Sequence, residues 1–244
     1  MEWNGYRKEE FMLDGREGFI VFPHKQEETK RWVWRAEFFG AFDYPDRALL
    51  EKGWAIAYYR VSNQFGSPKS VDAMKVFHDY VVEKYELNKK ADIFGFSRGG
   101  LYSVNYTAKY PQDIMTLYLD APVLSLASWP GMFGKTKQYK IEEFQQEWIM
   151  CKEVYGFEKD EDVFSFADIP LNKVDDLVKN NIPCILVAGD SDRIVDYTEN
   201  GEIFAKEYKE KGGDIVLIVK EGVDHHPHSL EDPKPIVDFI CSKN

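Results

Sequence analysis

The chain is poor in cysteine, in basic residues and in long apolar runs, and each shortage closes off a class of function. Its three cysteines, Cys151, Cys184 and Cys241, are odd in number and widely spaced. They fit neither a disulfide framework nor a metal-ligand spacing, so no metal or other cofactor is expected. Cys184 stands within Ile182-Pro183-Cys184-Ile185-Leu186-Val187 and reads as a small core residue. Lysine and arginine number 31 against 42 acids, a net charge of −11. No nucleic-acid partner is expected, because that binding needs a basic face. No stretch approaches the roughly 20 apolar residues of a membrane span. Met1-Glu2-Trp3-Asn4 lacks the basic start and apolar centre of a signal peptide, which makes the cytoplasm the expected location. Repeats, low-complexity tracts and linkers are missing, so one domain over 1–244 is expected.

What is present suits a soluble globular protein: 44% hydrophobic and 30% charged residues over 244 positions, enough for a full core. Aromatics reach 15%, enough to line a cleft as well as fill a core. Short apolar runs rich in β-branched and aromatic residues recur at 18–23, 31–34, 54–59, 91–94, 114–120, 184–188 and 215–219. Several are too continuous for half-exposed strands and suit the doubly covered strands of a parallel sheet. Helical patterns fall between them, over 71–85, 100–109, 197–211 and 233–242. This alternation predicts an α/β fold with helices on both faces. Functional residues should then gather at the carboxyl ends of the strands. From 120 to 184 no strand is apparent; helices are expected over 141–155 and 171–180. The segment 124–182 reads as a small cap inserted over the sheet edge, the alternative being a long crossover.

Gly95-Phe96-Ser97-Arg98-Gly99 follows the apolar run Ile93-Phe94 and precedes a helical stretch. A serine on a sharp strand-to-helix turn has its hydroxyl lifted out of the sheet, and small neighbours let other backbone pass close by. The hydroxyl needs a histidine to take its proton and an acid to orient that histidine. Later strands lead into Gly189-Asp190-Ser191-Asp192-Arg193-Ile194-Val195 and into Gly222-Val223-Asp224-His225-His226-Pro227-His228. The order is serine, acid, histidine.

On these three motifs the chain resembles the α/β-hydrolase family along nearly its whole length. The resemblance implies a mostly parallel, roughly eight-stranded sheet flanked by helices. By position it implies Ser97 as nucleophile, Asp192 as acid and His225 as general base. Asp190 is better suited to its turn and Asp196 to capping the next helix. Asp224 stands where a glycine is frequent. His226 and His228 either hold the loop or touch substrate; His24 and His78 are structural.

The negative charge that forms during acyl transfer needs donors. The backbone N–H of Arg98 is one candidate. The other lies in Arg35-Ala36-Glu37-Phe38-Phe39-Gly40, where the family often has His-Gly; Glu37 is placed first and Phe38 second. Phe38 and Phe39 pack beneath the cap in an alternative reading, and Arg35 and Glu37 either pair or leave Glu37 to meet a polar substrate. Asp120 either bonds substrate or fixes the acid loop. Trp129 either stacks on a sugar or other flat ligand, or is simply buried. Phe38 and His226 complete the expected substrate-binding set.

The strings Trp34–Phe39, Gly95–Gly100, Asp120–Val123 with Ser128–Pro130, and His225–Leu230 are similar to those of a narrower bacterial group of the family, regarded as esterases or peptidase-like hydrolases. Some of these proteins are encoded beside carbohydrate-processing genes. That resemblance implies a carboxylesterase acting on a small acyl ester, on a sugar or other polar molecule, in a monomer or small homo-oligomer. The alternatives are a peptidase of the prolyl-oligopeptidase type, which lacks its propeller within these residues, and a non-catalytic binding protein on the same fold.

Overall fold

The computed structural model describes residues 1–135 and 143–243. A nine-stranded sheet runs through the molecule. Its strands are β1 (Glu2–Trp3), β2 (Tyr6–Leu13), β3 (Arg16–Val21), β4 (Trp32–Arg35), β5 (Ala55–Tyr59), β6 (Ala91–Phe96), β7 (Ile114–Asp120), β8 (Cys184–Gly189) and β9 (Ile215–Lys220). The spatial order is β1-β2-β3-β5-β4-β6-β7-β8-β9. Pairing is antiparallel from β1 to β5 and parallel from β5 to β9.

The strands from β4 to β8 are buried on both faces, as their unbroken apolar runs require. Along β4, Trp32 and Trp34 enter one core and Val33 the other; along β8, Cys184 and Leu186 face one way, Ile185 and Val187 the other. Helices α1 (Tyr44–Glu51), α2 (Pro68–Tyr85) and α3 (Gly99–Lys109) follow β4, β5 and β6. Val71, Met74, Phe77 and Val81 of α2 seal one face. Leu49 and Leu50 of α1, with Ile236, Val237 and Ile240 near the C-terminus, seal the other.

The structure refines the sequence reading at three elements. Among the described residues β9 pairs only with β8, and Val216, Leu217 and Val219 are exposed on this edge, so the last apolar run is not doubly covered. The polar string Tyr6–Leu13 forms an unexpected strand, because an antiparallel strand with one open face tolerates alternating charge. The helix expected over 197–211 is a 3₁₀ turn, Tyr197–Glu199, followed after Asn200 by a separate helix, Gly201–Glu210.

Between β7 and β8 the described residues form helices α4 (Gln145–Tyr155), α5 (Asp162–Ser165) and α6 (Val174–Lys179) and no strand. Positions 141 and 142 of the expected helix lie outside the described residues. A third apolar cluster joins Leu126, Trp129, Trp148 and Cys151 of this segment to Leu101 of α3 and to Val195. No described helix is long and apolar enough to cross a membrane.

Candidate active site

The chain leaves β4 toward β5 on one side, and β6 lies on the other. The loops after β4 and β6 therefore diverge at a topological switch point, where open α/β sheets form their crevice. Ser97 stands there, between β6 and α3. Its φ of +49° lies in the left-handed region, which a residue with a side chain enters only at a cost. Its N–H donates to the Asp120 carbonyl at 2.9 Å, and its carbonyl accepts from Gly100 at 3.0 Å and Val123 at 2.9 Å.

Glycine makes this turn possible. A Cβ on Gly95 would fall 2.1 Å from Ser103 Oγ, and one on Gly100 would fall 2.8 Å from the Val123 carbonyl. A Cβ on Gly99 would meet Glu37 Cβ at an ordinary 3.4 Å. The crowding expected at 95 and 99 thus falls on 95 and 100.

Asp192, buried in the loop after β8, accepts the N–H groups of Ile194 and Val195 on Oδ1, each at 2.8 Å. Its Oδ2 lies 2.7 Å from His225 Nδ1, and His225 Nε2 lies 2.9 Å from Ser97 Oγ. A carboxylate facing Nδ1 keeps the proton on that nitrogen, so Nε2 is left to accept the serine O–H. Asp190 instead accepts the Gly222 N–H at 2.7 Å. Asp196 caps the 3₁₀ turn through the Glu199 N–H at 3.1 Å. A Cβ on Gly189 would fall 2.2 Å from the Val223 carbonyl, so glycine there lets the acid and histidine loops close on each other.

Ser97, His225, His226 and His228 open on a cavity of about 150 Å³ walled by Phe38, Ala41, Phe42 and Phe96. No described residue of 124–182 lines it. A wider groove of about 360 Å³ runs beside Lys8, Phe11, Phe19 and Arg60 but has no serine, cysteine or histidine among its lining residues. Exposed His226 stacks on Phe42 at 5.7 Å. Partial desolvation of the ring where it meets its neighbours, with the adjacent imidazoles second, holds His226 below the ordinary imidazole pKa. Burial also lowers His228, outweighing the opposing pull of Asp120.

The loop after β4 supplies one wall. Phe38 has φ +53°, and its carbonyl accepts from Arg35 Nη2 at 3.1 Å. Arg35 also donates to the Ala41 carbonyl, lies over the Phe96 ring at 4.0 Å and pairs with Asp46 at 3.5 Å. Among the described residues no acceptor takes the N–H of Glu37, Phe38 or Arg98.

Several side chains expected at the substrate lie elsewhere. Glu37 is buried, accepts from Ser62 Oγ at 2.7 Å and lies 3.3 Å from Arg98 Nε. It therefore pairs with Arg98, not Arg35, and has no free face for a substrate. Trp129 is buried against Phe65 and Phe144 and cannot stack on a sugar. Phe39 packs on Trp3 and Phe19 at the N-terminal strands, not beneath the segment 124–182. Asp120 is fully buried and fixes the histidine loop rather than the acid loop: its carboxylate holds His228 and the Ser229 N–H. Sequence reasoning left His228 between two roles, because a partner 108 residues away leaves no local signal.

Within solved structures, the chain aligns over 96% of its length with a puromycin-hydrolysing peptidase of Mycobacterium tuberculosis, at TM-score 0.70 and 16% identity. It aligns over its full length with dipeptidyl peptidase 4 of Porphyromonas gingivalis, at TM-score 0.70 and 12% identity. An esterase of Pyrococcus furiosus matches over 98% of this chain and 92% of its own, at TM-score 0.63 and 16% identity. The chain has the α/β-hydrolase fold. It spans only 38% and 36% of the two peptidases. No family model and no curated protein matches it. In an α/β hydrolase the loops after the parallel strands carry the chemistry, and here the loops after β4, β6, β8 and β9 meet around Ser97.

His225, His226 and His228 bring ring nitrogens within 4.8 Å of one another, a grouping able to hold a metal ion that the sequence spacing did not suggest. An ion there would need a nitrogen of His225, and both already have partners in Asp192 and Ser97.

Proposed function

We propose that the protein is a serine hydrolase whose substrate is a small acyl ester. Ser97 attacks the acyl carbon as His225 Nε2 removes its proton, and Asp192 steadies the imidazolium that forms. His225 then protonates the leaving alcohol. Water, deprotonated by the same imidazole, releases the acyl group from Ser97. The N–H groups of Arg98 and Phe38 receive the oxyanion; Phe38 takes precedence over Glu37 because it lines the cavity.

One observation carries this reading: the unbroken series of contacts from Asp192 through His225 to Ser97, ending on a serine in a left-handed turn beside a cavity. A binding protein has no use for that series. The peptidase alternative draws its support from the names of fold relatives, each covered over little more than a third of its length. An ester on a carbohydrate is favoured by the sequence resemblance, and exposed His226 offers a polar rim for it. The segment 124–182 is best regarded as a cap-like insertion within one domain, with its own apolar cluster buttressing the acid loop through Val195.

The test is labelling with a fluorophosphonate followed by peptide mapping. The expected product is an adduct on Ser97, abolished in Ser97→Ala and strongly slowed in His225→Ala. An adduct at another residue, or none, sinks the assignment.

A further inference from the structure

Two imidazoles at this cavity have a carboxylate behind them, and the proposed chemistry uses only one. His228 Nδ1 lies 2.7 Å from Asp120 Oδ1. The other Asp120 oxygen accepts the Tyr118 O–H at 2.6 Å and the Ser229 N–H at 2.8 Å. Asp120 is fully buried, so this carboxylate serves the histidine and never meets substrate. The carboxylate fixes the His228 proton on Nδ1. Nε2, on the far edge of the ring, has no protein partner among the described residues, while the ring lines the cavity beside Phe42 and Phe96. With the Nδ1 proton directed at Asp120, Nε2 of the neutral ring presents its lone pair.

Beside the Phe42 and Phe96 rings, an acceptor without a protein partner discriminates between guests. A plain alkyl group would strip its water and return nothing, whereas a hydroxyl would bond it. We propose that His228 is a specificity residue, and that its Nε2 accepts a hydrogen bond from a hydroxyl on the substrate group that fills this cavity. The inference rests on the serine-hydrolase reading and narrows it to hydroxylated short esters. Asp120 is the positioning residue that aims the ring.

The experiment compares kcat/KM within two matched pairs. The p-nitrophenyl esters of 3-hydroxybutyrate and butyrate probe the acyl side; glyceryl and propyl acetate probe the alcohol side. The wild-type enzyme is expected to favour the hydroxylated member of one pair by about 10-fold or more. In His228→Phe that preference disappears through loss of rate on the hydroxylated member alone. His228→Gln, whose amide oxygen can accept, recovers part of it. Equal rates within both pairs, or an unchanged preference in His228→Phe, overturn the proposal. Fluorophosphonate labelling of Ser97 in each variant reports whether the site is assembled. If the phenylalanine variant does not label, the wild-type and glutamine preferences decide. If wild-type Ser97 never labels and no ester is cleaved, the hydrolase reading falls by itself. Calorimetric binding of 3-hydroxybutyrate against butyrate, and glycerol against propanol, then decides the His228 proposal, and equal affinity within both pairs defeats it.

Discussion

Arg193 and Asp224 bind the acid loop to the histidine loop. The Arg193 N–H donates to Asp224 Oδ1 at 2.9 Å and its Nε to Oδ2 at 2.7 Å. Asp224 Oδ1 also accepts the His225 N–H at 2.8 Å. One carboxylate thus links the backbone next to Asp192 with the backbone of His225. The aspartate that replaces a frequent glycine here serves as a clamp.

Asp224→Ala should therefore lower kcat more than it raises KM, by about 10-fold, because a small displacement of the base costs rate. Burial raises the Asp224 pKa, but the two N–H donors and the Arg193 guanidinium prevail and bring it down to about 2. A depressed carboxylate contributes stability that is complete above its unfolded value of 3.8 and is lost as pH falls toward about 2. Thermal melts from pH 5 to pH 2 should show a shallower decline in Asp224→Asn than in wild type. Parallel curves would deny the clamp.

The cavity sets a limit on the group it takes. At about 150 Å³ it matches the space that holds a guest the size of benzene. Short-chain p-nitrophenyl esters, acetate to butyrate, should be cleaved with higher kcat/KM than octanoate or longer, by about 10-fold or more. A rising series would mean that the acyl chain lies elsewhere and that the protein behaves as a lipase.

Much of this site could be read from sequence because its signals are local. The turn at Ser97 and the loops holding Asp192 and His225 each follow an apolar run that stands out without any partner. What stayed hidden depends on distant pairing. Asp120 and His228 meet across 108 positions, Arg35 finds Asp46 rather than Glu37, and Glu37 finds Arg98. Trp129 sits in a loop rich in glycine and proline, yet its ring is buried against Phe65 and Phe144 from distant stretches. The charged string Tyr6–Leu13 gives no strand signal, since its pairing with Arg16–Val21 supplies the order that its composition lacks.

A metal ion held by His225, His226 and His228 would compete with Ser97 for the His225 imidazole. Three histidines on a tetrahedral ion would draw their nitrogens to about 3.3 Å apart, from a starting point within 4.8 Å. Taking His225 Nε2 for this would break its bond to Ser97. A chelator should leave kcat/KM unchanged, added zinc should inhibit, and inhibition should slow fluorophosphonate labelling of Ser97 in parallel. In His226→Ala, more zinc should be needed for half inhibition. Loss of activity with a chelator, restored by zinc, would reverse the assignment.

Arg35 holds the loop that carries the proposed oxyanion donor, and its two tasks can be separated. The buried pair with Asp46 concerns stability, whereas the grip on the Phe38 and Ala41 carbonyls concerns geometry. Arg35→Met leaves the buried Asp46 carboxyl without its cation, at a cost of about 3–5 kcal/mol. Removing both charges in Arg35→Met with Asp46→Leu should recover most of that stability, because a buried pair exchanged for apolar groups is often neutral. It should not recover rate, since nothing then holds the Phe38 carbonyl. Arg35→Lys keeps a charge beside Asp46 but is too short to pair there and still reach both carbonyls as Nη2 does, and should fold with kcat reduced about 10-fold or more and KM little changed. Chemical denaturation and steady-state kinetics on the three variants check this. A double variant that is both stable and fully active would show that the loop holds its shape without Arg35.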